Sequence, residues 1–261
     1  MDSFPYILKL NSIREKLVAD PTRPDPSWVR ITTITMISKF LQEIDLKKFK
    51  EKFKELGSVT VRRKGSKFHG FEWNMKDTAF YNQVTIGYQD AYSRKSVKIF
   101  ENGAIQVAGC SDLFDCRRIL KQISFILYEV LELEAPPPVA DADVKMINTN
   151  FSLNSSVNLN KIIQKFSKIP GFKVTFDPDR YSAVKIKFVP GEGMKQVTAS
   201  IFSTGKIIVT GAQKLDEIAQ AYKILNENLE AGVFVKPVQS PETFNTIMGA
   251  QFGEWVRVLT K

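Results

Sequence analysis

The chain has 261 residues, 43% hydrophobic and 25% charged, room for one large domain or two of ordinary size with a substantial core. Its 37 Lys and Arg against 28 Asp and Glu leave a net charge of +9, which favours nucleic acid or another anionic partner. Two cysteines six apart, Cys110 and Cys116, and one histidine, His69, make neither a disulfide framework nor a zinc site, and no apolar run approaches the roughly eighteen residues of a membrane helix, so a reducing intracellular compartment is expected.

In "MDSFPYILKLNSIREKL" charges break the apolar run, so no signal peptide is expected and residues 1–28 read as an N-terminal extension. "VRITTITMISKF", residues 29–40, is rich in β-branched residues and predicts a strand. "DLKKFKEKFKELG" follows with Leu46, Phe49, Phe53 and Leu56 on one helical face and Gly57 as its stop. A basic insertion is placed near 58–75, where "VRRKGSKFHGFEWN" predicts a hairpin turning at Lys64-Gly65, either a phosphate-contacting or a solvated one. His69 within it has no metal-binding or catalytic partner in view.

"SVKIFENGAIQVAGC", residues 96–110, then reads as a hairpin, with Ser111 or Asp112 capping a long helix whose apolar face holds Ile119, Ile123, Ile126 or Leu127, and Val130. The proline-rich "APPPVADAD", residues 135–143, reads as a linker. Beyond it the order recurs: a strand in "DVKMINTNFSL", a helix in "NLNKIIQKFSKIPG", strands in "FDPDRYSAVKIKF" and "TASIFSTGKIIVTGA", and a helix striped by Leu215, Ile218, Tyr222, Leu225 and Leu229. At an offset of 102, Ile99, Phe100, Gly103, Ile105, Val107 and Gly109 return as Ile201, Phe202, Gly205, Ile207, Val209 and Gly211. The chain therefore contains one unit made twice, with a C-terminal extension over 232–261 whose Phe244, Ile247, Met248, Phe252, Trp255 and Val256 suggest packing on the body or a partner. An antiparallel sheet covered by helices on one side leaves its other face for binding.

"IFSTGKIIVTGA" closely resembles a strand pair of the TATA-box-binding protein family; "DEIAQAYKILNENL" resembles the helix after it and "FDPDRYSAVKIKF" the stirrup and strand before it. The resemblance covers about residues 29–231 and is specific in the second half. It resembles the divergent copies of large DNA viruses or distant microbial eukaryotes. It implies an α+β fold with two pseudo-symmetric repeats, residues 29–134 and 144–231, forming one curved antiparallel saddle with helices on the convex face. It further implies minor-groove binding of A·T-rich promoter DNA, aromatic wedging, bending (the family figure is about 80°) and recruitment of a transcription factor IIB-like protein and the polymerase machinery, without cofactor, metal, membrane or catalysis.

Carried over by position, the wedges are Phe100 and Phe202 with Tyr81 and Tyr181 as their partners, Phe80 being the alternative to Tyr81. The insertion makes Thr35 to Tyr81 46 steps, against 33 from Asn148 to Tyr181. Groove and phosphate positions are Thr35, Gln106, Asn148, Lys187, Thr204, Lys206, Ile208 and Thr210. In the first repeat Ala104, Ala108 and Gly87 stand where the second has Lys206, Thr210 and Lys187, so a relaxed A·T preference is expected. Asp177 and Asp179 on the stirrup and Arg117, Arg118 and Lys121 on the first long helix take the partner-docking positions. The resemblance places the protein at a site of transcription, in a nucleus or, if viral, in a virus factory or virion. Its rivals are a saddle-shaped scaffold that binds transcription proteins with little DNA recognition, and a single-strand binder using the same aromatics as stacking platforms.

Overall fold

Ile31, Thr32, Thr33, Ile34 and Thr35 are β-branched and favour extended backbone, and the strand they form lies at the middle of the sheet. A computed structural model describes residues 4–56, 59–60, 71–76, 82–90 and 94–235. The first half contains α1 (Phe4–Val18), β1 (Arg30–Lys39), α2 (Leu46–Leu56), the two-residue β2 (Val59–Thr60), β3 (Phe71–Lys76), β4 (Gln83–Asp90), β5 (Arg94–Phe100), β6 (Ala104–Cys110) and α3 (Leu113–Leu131). The second contains β7 (Asp143–Ser152), α4 (Leu159–Phe166), β8 (Lys173–Asp177), β9 (Tyr181–Phe188), β10 (Val197–Phe202), β11 (Lys206–Ala212), α5 (Leu215–Glu227) and a 3-10 turn at Ala231–Val233.

The strands form one antiparallel sheet ordered β2-β3-β4-β5-β6-β1-β7-β11-β10-β9-β8. Outward from the β1–β7 seam the order is the same on both sides, with β2 as an extra edge strand in the first half. This is the α+β, two-repeat architecture expected from the duplicated hairpin.

Strand alternation gives the sheet two unlike faces. Val97, Ile99, Ile105 and Val107 in one repeat, and Val197, Ala199, Ile201, Ile207 and Val209 in the other, are buried on the helix side. There they join Phe49 and Phe53 of α2, Ile119, Ile123 and Leu127 of α3, Ile162 and Phe166 of α4, and Ile218, Tyr222 and Leu225 of α5 in one core. Each buried Val, Leu, Ile or Phe among them contributes about 1.5–3 kcal/mol by leaving water.

The recurring turn glycines have a steric cause. Gly103 and Gly205 lie at φ 79° and 78°. A Cβ at Gly103 would meet the Gln42 carbonyl oxygen at 2.4 Å, and one at Gly205 the Ser155 carbonyl oxygen at 1.9 Å. Gly205→Ala therefore lowers stability by about 1–3 kcal/mol or more, combining left-handed strain with a backbone clash. Gly193→Ala, at φ 69° with nothing within 4 Å of its Cβ, costs less; thermal melts of the two variants check the difference.

Three segments outside the clearest parts of the repeats take definite places in the structure. The stretch assigned to an insertion, 58–75, includes β3, which pairs with β4 as β8 pairs with β9; Phe71–Lys76 is thus a strand of the repeat itself. The basic run before it hid the alternation of inward Trp73 and Met75 with outward Asn74 and Lys76. The Lys64-Gly65 turn and His69 lie outside the described residues. The linker 135–143 is held against the first repeat: Leu41 N–H donates to the Pro138 carbonyl (3.0 Å), Ala140 N–H to Lys39 (2.8 Å) and the Ser124 hydroxyl to Pro137 (2.7 Å). The N-terminal extension joins the helical layer, α1 packing on α5 through buried Leu10 and Leu17. Arg23 donates to the carbonyl and side-chain oxygens of Asn226 (2.6 and 2.8 Å), Lys9 pairs with Asp216, and the Tyr222 hydroxyl, pushed up to about 12 by burial, donates to the Ser27 carbonyl (3.0 Å). The C-terminal apolar residues from Phe244 on lie outside the described residues.

Candidate nucleic-acid interface

The strand registers arrange the uncovered face in cross-strand rows. In the second repeat one row runs Lys173, Lys187, Thr198, Thr210; the next runs Thr175, Lys185, Ser200, Ile208, Asn150. A third joins Ala183 to Phe202, beside the pair Lys206 and Ser152. The equivalent rows of the first repeat run Asn74, Gly87, Ser96, Ala108, Thr35; Lys76, Thr85, Lys98, Gln106, Ile37; and Gln83 to Phe100, beside Ala104 and Lys39. Thr210, Ile208 and Lys206 thus lie on one face with Lys187 and Phe202, while Thr204 is in the exposed β10–β11 turn.

Phe202 and Tyr181 stand edge to face, 5.6 Å between ring centroids at an interplanar angle of 67°. Ala183 between them in sequence is buried, and Lys185 Nζ lies 4.5 Å from the Tyr181 ring centroid. The pair is an apolar wedge with cations at its flank. In the first repeat Gln83 pairs with Phe100 as Ala183 pairs with Phe202; two residues earlier the chain reads Tyr81 and Tyr181. Tyr81, like the alternative Phe80, lies outside the described residues. Phe100 borders an open hollow of about 520 Å³ lined also by Glu43, Asn82, Glu101, Asn102 and Ala104. Two carboxylates, Glu43 and Glu101, thus share the hollow with this ring.

At the seam Asn148 Nδ2 donates to Thr33 Oγ1 (2.9 Å), and its buried Oδ1 has no partner in the described protein. Thr35 is buried opposite Ala108. Lys173 and Lys185, both exposed on the face, extend the set expected from the sequence, as do Lys76 and Lys98 in the first repeat. Lys185 was legible: it lies two residues before Lys187 in a strand, and that spacing shares a face.

Residues 141–231 match the family described as transcription factor TFIID (or TATA-binding protein, TBP). A "TATA-box-binding protein-like" protein of Acanthamoeba polyphaga mimivirus is 30% identical over 177 residues, 58% of this chain and 48% of that one. The second half of the chain carries the TATA-box-binding protein family match. The whole chain spans about half the length of that viral TBP-like relative. The solved TBP of Methanococcus jannaschii shares the fold, with a TM-score of 0.53 and 15% identity over 77% of this chain and 98% of that one. TBP-family proteins are not enzymes. Among the described residues no group of three or more His, Cys, Asp or Glu could hold a metal ion, and no helix is long and apolar enough to cross a membrane.

On the helical side of the sheet, Arg117 and Lys121 are exposed on α3 beside Phe114 and Phe125, which are 78% and 60% exposed. Arg118 is tied inward: Nη1 donates to the Tyr88 hydroxyl (2.8 Å), and Nη2 meets Asp115 at 2.7 Å. Although 43% exposed, Arg118 also anchors α3 through these contacts. Lys95, its side chain fully buried, pairs with the other Asp115 oxygen at 3.1 Å and lies 5.1 Å from the Tyr88 ring centroid. Burial pushes the Asp115 carboxyl up, but donors from Ser111 N–H, Arg118 and Lys95 outweigh it and hold the group below its ordinary range. Asp177 closes β8 and Asp179 lies in the following turn, both exposed.

Proposed function

We propose that this chain is a transcription-initiation factor that lays its uncovered sheet face on the minor groove of A·T-rich duplex DNA, wedges aromatic rings between base steps and bends the duplex. The observation that carries this reading is the Phe202–Tyr181 pair flanked by Lys185, Lys187 and Lys206 on one open face. A ring entering the groove replaces stacking lost at the opened step, and the bend brings more backbone to the lysines. Thr210 and Asn148 lie between the two halves, where the groove's A·T acceptors would meet hydroxyl and amide groups. Asp177 and Asp179 at the β8–β9 edge and the exposed positions of α3 are the docking sites in this reading for a transcription factor IIB-like protein and polymerase components, at a nuclear or viral site of transcription.

Energy transfer across an end-labelled A·T-rich duplex, with a G·C-rich control at two salt concentrations, tests the reading. The expected result is bending of the A·T duplex, with affinity falling as salt rises because phosphate contacts release counterions. A second reading, a protein-binding saddle with little DNA recognition, is favoured by Glu43 and Glu101 beside Phe100. Binding of transcription proteins with neither duplex bent would establish it instead. Tight binding confined to single strands would mark the aromatics as stacking platforms.

A further inference from the structure

Gly87 and Lys187 hold equivalent places: Gly87 pairs with Asn74 and Ser96, Lys187 with Lys173 and Thr198. Position by position, the first repeat has lost two cations there. The side chains around Gly87 refill the space. A Cβ on Gly87 would lie 2.4 Å from Asn74 Oδ1 and 3.2 Å from Lys76 Cε, so the end of the Lys76 stem lies across the glycine. A Cβ at 87 would press first on the Asn74 amide oxygen and more lightly on the Lys76 stem. Lys76 itself pairs with Thr85, one row nearer Phe100, and is exposed, so its ammonium is carried from its own row toward the one that Lys187 occupies in the other repeat.

We infer that Lys76 is a phosphate-contacting cation of the first repeat, reaching over Gly87 to do from the neighbouring strand what Lys187 does from its own. The inference rests on the minor-groove reading above. A duplex presents two backbones, one on each side of the groove, and a pseudo-twofold face binds both only if each half offers positive charge. The second repeat offers Lys173, Lys185 and Lys187; the first offers Lys76 and, across Thr85, Lys98. The difference between the repeats then lies in their wedges and groove readers, not in their hold on the backbone. The absence of a Cβ at Gly87 leaves room for the Lys76 stem to lie close over that strand.

Duplex affinity measured across a salt series tests the assignment, with the intact chain compared against Lys76→Ala, Lys76→Arg, Lys187→Ala and Lys168→Ala, the last an exposed lysine after α4. Lys76→Ala and Lys187→Ala are each expected to weaken binding several-fold, equally on A·T and G·C duplexes, and to reduce the slope of log affinity on log salt by about 1. Lys76→Arg retains the slope, and Lys168→Ala matches the intact chain. A Lys76→Ala slope equal to that of Lys168→Ala, with Lys187→Ala reduced, overturns the assignment and leaves the minor-groove reading standing. Duplex affinity of the intact chain that does not change with salt overturns both.

Discussion

Phe202→Ala removes most of the duplex bending produced by the intact chain, whereas Phe100→Ala removes a smaller share. Phe202 acts with Tyr181, whose ring meets it edge to face, and Lys185 and Lys206 supply positive charge around the pair. An aromatic ring stacked on a base is worth about 1–3 kcal/mol on truncation, so Phe202→Ala is expected to weaken duplex affinity about tenfold or more. Phe100 has Glu43 and Glu101 nearby, and their charges oppose close approach of phosphates. Energy transfer on one labelled A·T-rich duplex compares the two variants directly. Equal losses would show that the carboxylates do not weaken the first wedge. No loss from Phe202→Ala would remove the aromatic pair from the mechanism.

The second large effect is on stability. Asp115→Ala is expected to destabilise the fold by about 3–5 kcal/mol, because it removes the carboxylate that pairs with the buried Lys95 ammonium and with Arg118. The double variant Lys95→Met with Asp115→Leu recovers much of the loss, since an apolar pair of similar volume leaves no buried charge. The pH dependence has a definite sign. The Asp115 carboxyl is held below its unfolded value, so its contribution is fully present above that value, about 4, and is lost as pH falls through the lower folded value. The stability gap between the intact chain and Asp115→Asn is therefore wide at pH 7 and closes in acid. Denaturant unfolding of both at several pH values measures it, and a gap that ignores pH would mean that the carboxylate charge does not matter there.

The tie reaches beyond stability. Asp115 and Arg118 anchor the first turns of α3 to Tyr88 and Lys95 on β4 and β5, strands whose other face carries Thr85, Gly87 and Lys98. A single-site change in the knot thus loosens both the exposed α3 face and the seating of the strands beneath it.

By itself the sequence determined the duplicated hairpin, the amphipathic stripes of α2 to α5 and the shared face of Lys206, Ile208 and Thr210. All three follow from short-range rules: a positive-φ glycine at the turn, a helical period near 3.6 and a strand period of 2. The family resemblance then aligned Phe100 with Phe202 without any knowledge of contacts. Only the tertiary structure decided that β3 belongs to the repeat, that α1 covers α5, that Arg118 turns inward and that Lys76 lies over Gly87. Each depends on which strand or helix becomes a neighbour across tens to hundreds of positions, as Arg118 meets Tyr88 and Arg23 meets Asn226. Local periodicity assigns a residue to a face; strand register and layer packing assign its neighbours on that face. Gly87 shows the difference: in sequence it is a lost lysine, and in the folded sheet it is the opening through which another lysine reaches.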